Sequence, residues 1–579
     1  MRFIRSIIAV LLAAGVLAGS GAWAAPLPPL YRVNAPYFGD DVVFAEAGVF
    51  WFGRVTPSEN YADVRVGYTD SSLWVHVNII DRRLWYDTTP TVATLTDWDS
   101  VTLYLDKSGN MGGAPATTSY RFDSQLNWWE TPRTPWEANY RGNGASWVSQ
   151  SLPLLTYNNW YGDVPNTNAD DHGFYMAYYI PFSSFGLSGP PAPGTVWGLG
   201  LAMHDRDAST GAMNPDKVWP PNLVTTQPSS WGQLRFGLPG YTLPGPTVQQ
   251  GTTVIRQGLN GPVPDAVVGG NTLCGGSPND DWNRWGNLNY AHDTVLNAQN
   301  VEQVSEWPCF SKVFMTFPLN AVPAGKQIIS ATLKLHHRGN PGPAPDPSYI
   351  QVLTIGQDWD ENAITWNNAP LARENLGGVW IPSVQAAPPY PGIPYQWNIS
   401  RAVAEAYAAG EPLRLAVYSA DKPFHSGRYF HSSDVEDLNA QGRPTLTVVW
   451  GTLGGAIQAK AHPTIVDLGD TVTYTLTFIG TGQPMTLTDN LPALVGAPMS
   501  LQASAGSITY TLGLHRVQWS GTLGVAIPAT VTFPVEVLAA TPQAVSNTVQ
   551  LVDGVTGVSL STAVFMANGQ EVYLPPIRR

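Results

Sequence analysis

The chain has 579 residues, with 43 Asp and Glu against 30 Lys and Arg, giving a formal net charge of −13 at pH 7. Only 13% of its residues are charged, against about 25% in ordinary soluble domains, so Ser, Thr, Asn, Gly and Pro carry its solubility. An acidic chain without a Lys/Arg run argues against nucleic acid or an anionic membrane surface as partner.

At the N-terminus, Arg2 and Arg5 precede an apolar run from Ile7 to Val16, and Ala22-Trp23-Ala24 stands before Ala25. That pattern is a Sec-type signal peptide over residues 1–24. No later run approaches the ~18 apolar residues of a membrane span. The expected product is therefore secreted or held at the cell surface, with no transmembrane segment and with cell-envelope attachment an open alternative. Helical periodicity is clearest at Ser400 to Ala409, while 56 Gly and 50 Pro imply many turns. The fold expected is all-β, three tandem β-sandwich domains at 26–240, 250–450 and 456–568 followed by a tail at 569–579. Gly and Pro accumulate at the first inner boundary, from Gly237 to Pro246, and Gly at the second, from Gly451 to Gly455.

In the first module, Asp63 to Tyr68, Leu73 to Ile79 and Ser100 to Leu105 alternate with the period of half-buried strands. Asp106-Lys-Ser-Gly-Asn110 follows as an acidic turn. Later Trp197 to Met203 runs into His204-Asp205-Arg206-Asp207, and a loop offers Trp219 between that turn and Trp231-Gly232. Indole faces beside carboxylates suit a sugar ring, whose C–H face stacks on aromatics while its hydroxyls seek charged acceptors. The strings ADVRVGYTDSSLWVHVNIIDRRLWYD, TDWDSVTLYLDKSGN, YYIPFSSFGL and WGLGLAMHDRD…KVW…WGQLRF resemble family 9 carbohydrate-binding modules over about 190 residues. The resemblance implies a sugar-binding sandwich with an aromatic clamp, and structural calcium in many members. Trp219 then stands as one wall of the clamp and Trp85 or Trp98 as the other, with core or edge packing the alternative for each. Trp74 and Trp197 read as core. Asp205 and Asp207 either bind sugar hydroxyls, ligate calcium through oxygen or cap the turn, and Asp106 is a further calcium candidate. Trp128-Trp129-Glu130 opens an insertion that departs from the family pattern.

In the second module, Cys274 and Cys309 are the two cysteines of an exported chain and are expected to form a disulfide. KVFMTFPLNAVPAGKQIISATLKLHH, IQVLTIGQDWDENAITWNNAP, YQWNISRAVAEAYAAGEPLRLAVYS and GRPTLTVVW resemble a DNRLRE (disaggregatase-related) domain. That likeness implies an auxiliary sandwich, some of whose relatives bind acidic polysaccharides. Lys312, Lys334, His336, His337 and Arg338 supply the nearest positive charge, which such ligands need. Asp358-Trp359-Asp360-Glu361 with Thr365-Trp366-Asn367-Asn368 reads as a turn pinned by indoles. In the third module, LGDTVTYT from Leu468, TDNLP from Thr488 and Ser546-Asn-Thr548 resemble the conserved-repeat Ig-like domain of bacterial surface proteins, which implies a stalk. Lys460, Asn547 and Asp489 or Glu536 could be cast as an isopeptide crosslink, against the alternative of an ordinary exposed lysine.

Catalysis has weaker support. Asp99, Asp106, Asp205, Asp207 and Glu361 are carboxylates for a glycoside hydrolase, but none stands in a catalytic signature, and His292, His425 and His431 are scattered. A haem carrier would need Met203 paired with His76 or His172. The expectation is a non-enzymatic, exported polysaccharide-binding protein, with a structural envelope or adhesion protein as the alternative.

Overall fold

The computed structural model describes residues 31–569 except 110–111, 128–132, 134, 244–246, 275–277, 302, 343–344, 421–425, 454–456, 526 and 554–556. The leader, the tail from Gln570, Trp128, Trp129, Glu130 and His425 lie outside the described residues. Among these residues the strands form six sheets, two in each of three segments, and no helix is long and apolar enough to cross a membrane. The helix expected at Ser400–Ala409 is present. Gly410 closes it with φ 70°, a conformation that costs a glycine least, and its N–H donates to Tyr407 O at 3.1 Å.

The first module packs an eight-stranded sheet on a five-stranded one. In the eight-stranded sheet, Ser100–Asp106 pairs with Val196–His204, and in the other Glu59–Tyr68 pairs with Ser72–Ile80, which pairs with Gly173–Pro181. Alternation is kept. Val64, Val66, Val75, Val77, Leu103, Leu105, Leu199 and Leu201 meet between the sheets. Trp197 is core as expected, whereas Trp74 is buried on the opposite face of its strand, against Phe44, His76 and Tyr179.

The polar half of that alternation does not face water. Asp63 and Arg65 are 1% and 0% exposed, because the second module covers the outer face of the five-stranded sheet. One apolar cluster runs from Val33 and Trp51 of the first module to Phe310, Phe314, Trp366 and Tyr418 of the second. At its centre lies the Lys312 ammonium, fully buried. Nζ sits 4.3 Å from the Trp51 ring centre, 4.6 Å from Tyr61, 3.6 Å from Trp366 and 5.2 Å from Tyr418. It donates to the Tyr61 hydroxyl at 2.5 Å, which donates to Asp63 Oδ1 at 2.7 Å. Tyr418 donates to Asp63 Oδ2 at 2.8 Å and Asn300 Nδ2 to the same oxygen at 3.2 Å. Burial holds the ammonium well below its usual range, and the Asp63 carboxylate opposes that shift. Arg65 completes the seam, donating to Ala420 O and Val301 O at 3.2 Å while lying 5.0 Å from the Phe44 ring.

The second module stacks a six-stranded sheet and a five-stranded sheet over its own core of Val313, Met315, Leu333, Leu335, Val352, Val417 and Val448. Cys274 and Cys309 are disulfide-bonded, as expected. The third module is a four-stranded sheet on a six-stranded one around Tyr474, Trp519, Phe533 and Phe565. Inside it Asn547 Nδ2 donates to Asp489 Oδ2 at 2.9 Å, and both residues are buried. Lys460 is exposed on Ile457–His462, in the other sheet, so it does not meet them and the crosslink is not assembled.

Two predictions follow from these contacts. Trp51→Ala costs about 3–5 kcal/mol, and calorimetry should show the first two modules melting together at a lower temperature. Separate transitions with only one displaced would mean that the seam does not couple them. In the third module, burial pushes Asp489 up to about 6. A carboxyl whose pKa rises on folding favours the fold below its ordinary value and loses that contribution as pH climbs through 6. The third module should thus be less stable at pH 8 than at pH 4 by at most about 3 kcal/mol. Asp489→Asn should flatten the profile, and a variant as pH-sensitive as wild type would assign the effect elsewhere.

Candidate functional site

Three acids come together where strands end. Asp81 follows Ser72–Ile80, Asp99 precedes Ser100–Asp106 and Asp205 follows Val196–His204. One carboxylate oxygen from each lies within 4.8 Å of the others, and all three residues are buried. The cluster therefore joins both sheets at one end of the first sandwich. Backbone amides satisfy part of it. Arg83 N donates to Asp81 Oδ1 at 3.1 Å, Trp85 N to Asp99 Oδ2 at 2.6 Å and Arg206 N to Asp99 Oδ1 at 2.8 Å. Asn214 Nδ2 bridges Asp205 Oδ2 at 2.9 Å and Asp207 Oδ2 at 2.7 Å. Asp81 Oδ2 and Asp205 Oδ1 are buried with no donor. Burial first, then the Asp207 carboxylate, pushes Asp205 up to about 7. Burial first, then Asp205 and other neighbouring carboxylates, pushes Asp81 well above the usual range. Such a donor set of hard oxygens fits a calcium ion.

The expected aromatic clamp is not there. Trp219 is 0% exposed, its ring 4.1 Å from Phe50 and 6.3 Å from Tyr31, because its strand Lys217–Trp219 pairs with Val196–His204 and turns the indole inward. Trp85 is buried as well. Trp98 is half-buried, with the Arg206 guanidinium 4.4 Å over its ring. Asp106 is not a partner of Asp205 in a metal site, since it lies at the far end of Ser100–Asp106, where it accepts from Ser108. Nor do the proposed haem ligands meet. Met203 points between the sheets, His76 points to the seam and His172 Nδ1 is bonded to Ser305 O at 2.8 Å.

The outer face of the eight-stranded sheet carries Tyr104, Trp147 and Trp231, of which only Trp147 is partly open. On the same face His204 reaches Thr102 Oγ1 through Nε2 at 3.0 Å and Asp216 Oδ1 through Nδ1 at 2.9 Å. This arrangement has the outline of a hydrolytic triad. Thr102 is fully buried, however, and its hydroxyl donates to Asp123 at 2.8 Å, which removes it as a nucleophile.

A different face gathers positive charge. In the six-stranded sheet of the second module, Arg256, Thr445, Lys334 and Gln396 lie in one row across four strands. Lys334 and His336 share the outer face of Gln327–Gly339, with Leu333 and Leu335 turned into the core. Burial, Lys334 and Arg256 lower the His336 pKa, and burial, Arg338 and His336 lower that of His431 to about 4. Burial is the larger cause of both shifts, with the neighbouring basic groups adding to it. Tyr390 stands at the edge of the group, 43% exposed, its ring 5.9 Å from His431 and its hydroxyl accepting from Gly442 N at 3.0 Å. Of the basic residues expected here, Lys312 belongs to the seam and His337 is fully buried. The period-two spacing of Lys334 and His336 was a readable signal, but Arg256, Tyr390 and His431 join them only through the sheet.

Residues 283–445 match the family model of carbohydrate-binding module family 96. No curated relative matches the chain. Among solved structures it is similar to a family 9 carbohydrate-binding module from Caldicellulosiruptor kristjanssonii in complex with cellotriose, at 16% identity over 35% of this chain and 93% of that one, TM-score 0.24. The same module with glucose covers 37% of this chain and 100% of its own, at 16% identity and TM-score 0.24. The N-terminal domain of the Streptococcus gordonii adhesin Sgo0707 is similar at 8% identity over 93% of this chain and 94% of its own, TM-score 0.18. The part of the chain that the sequence marks as auxiliary is thus the part that matches a carbohydrate-binding family.

Proposed function

We propose that this chain is an exported, non-catalytic glycan-binding protein whose recognition surface is the basic, tyrosine-bearing face of the second module, and that its ligand is an acidic polysaccharide. The observation that carries this reading is the placing of Arg256 and Lys334 in one row of the outer face, with Arg338 on the same strand as Lys334 and exposed Tyr390 beside His431, mostly inside the stretch matched by a carbohydrate-binding family. A ring face for stacking and cations for carboxylates are the features a polyuronate needs, and Arg256, Lys334 and Arg338 supply the cations, since the pKa values of His336 and His431 are lowered. On a chain of net charge −13, this patch also steers an anionic ligand to one place. The absence of catalysis is supported by the burial of Asp99, Asp205 and Thr102, which no polymer reaches.

In the same reading the first module is a rigid base with calcium at Asp81, Asp99 and Asp205, and Asp207 beside them. The ion would neutralise the buried charge and tie the two sheets together. The third module holds the binding body away from its point of attachment, whether or not that point is a cell envelope.

Affinity electrophoresis of the mature chain in gels containing a polyuronate should show retardation at low salt that weakens at high salt, with none in a neutral glucan. Tyr390→Ala combined with Lys334→Ala should weaken it about tenfold, ~1.4 kcal/mol, with an unchanged melting temperature. Retardation indifferent to this variant moves the site elsewhere. No retardation with any glycan favours the structural envelope protein, and release of reducing ends favours the hydrolase. For the metal, calcium at a hundred times its Kd should stabilise chelator-treated protein by about 2.7 kcal/mol. Asp205→Asn should remove one bound calcium, and an unchanged stoichiometry would place the ion elsewhere.

A further inference from the structure

The second module has an acid cluster of its own that glycan binding does not use. Asp265 opens Asp265–Gly269, Glu361 lies in the turn after Ser348–Ile355 and Asp434 follows Arg428–His431. One carboxylate oxygen from each lies within 4.8 Å of the others. The strands of Asp265 and Asp434 belong to opposite sheets of the sandwich.

Asp265 is 1% exposed. Its Oδ2 accepts the Ser433 amide at 2.7 Å, but its Oδ1 is buried without a donor, as is Asp434 Oδ2. Glu361 Oε1 accepts the Asp265 amide at 2.8 Å, which brings a second carboxylate against the first. The basic group beside them, His292, stands on the solvent side with its side chain 64% exposed, Nδ1 3.5 Å from Asp434 Oδ1 and Nε2 3.0 Å from Asn362 Oδ1. A buried carboxylate oxygen lacking a donor and facing two more carboxyl groups is a standing cost that a cation removes. Burial first, with Asp434 and Glu361 adding to it, pushes Asp265 well above the usual carboxylate range.

We infer that Asp265, Glu361 and Asp434 form a calcium site of the second module, which clamps its two sheets and fixes the turn that reaches the seam. Three carboxylates from three chain segments are the hard oxygen donors this ion takes. The same turn carries Trp366, which packs on Lys312, and Asn367, whose side chain accepts from Val55 N at 2.8 Å and donates to Val55 O at 3.0 Å. An ion here therefore holds one wall of the lysine box. The inference rests on these contacts alone and not on the glycan reading.

Calorimetric titration of the chelator-stripped mature chain with calcium chloride tests it. Wild type should take two ions per chain, and Glu361→Gln and Asp434→Asn should each leave one. Asp434 is partly exposed, so its amide variant should keep the native near-ultraviolet dichroism even where Glu361→Gln does not. Asp205→Asn reports the other site. If it loses no ion while the two second-module variants do, the site inferred here stands and the calcium of the first module falls. Calcium uptake unchanged in both second-module variants, or no uptake by wild type, overturns the inference.

Discussion

Everything in the first two modules is arranged around a lysine that has been taken out of water. Burying an ammonium costs several kcal/mol unless the surroundings return that energy. Here four aromatic rings, the Tyr61 hydroxyl and the Asp63 carboxylate return part of it, and burial still holds the ammonium well below its usual range. Trp51, Tyr61 and Asp63 come from one module, and Lys312, Trp366 and Tyr418 from the other. These contacts are all made only when the two sandwiches meet in this one orientation. The apolar surface around it contributes most of the attraction, while the polar centre penalises a sliding or rotated contact. That division explains why the outer face of the five-stranded sheet carries Asp63, Arg65, His76 and Asn78, all buried.

The seam also decides where ligands can go. It covers one outer face of each of these modules, and the indoles expected to hold sugar in the first module are buried in its sandwich or capped by Arg206. The six-stranded sheet of the second module points away from the seam, and there the basic groups and Tyr390 collect. Both modules place three acids at a sandwich end, fed by strands of opposite sheets. Repulsion among these acids works against the packing of the two sheets at each sandwich end.

The fold class was legible because period-two alternation, turn residues and the near absence of helical periodicity are local properties. The Ser400–Ala409 helix was legible for the same reason, and the partnership of Cys274 with Cys309 because the chain has only these two cysteines. The site was harder to read. Trp219 looks the same in sequence whether its loop lifts it into solvent or, as here, a three-residue strand folds it against Phe50. Asp205 was visible as part of an acidic turn, but Asp81 and Asp99 are far from it in the chain and meet it only because three strand ends coincide.

The sequence by itself determined that strands would form, which residues would alternate, and that Lys334 and His336 would share a face. It did not determine what covers each face. Alternation separates two sides of a strand by their chemistry, and a polar side is equally consistent with water or with a polar partner. Only the tertiary structure decided that Asp63 and Arg65 lie inside a seam, that Lys312 is caged while Lys334 is free to meet a ligand, and that two sets of acids converge. Those outcomes depend on contacts between residues hundreds of positions apart, and no local pattern in the chain records them.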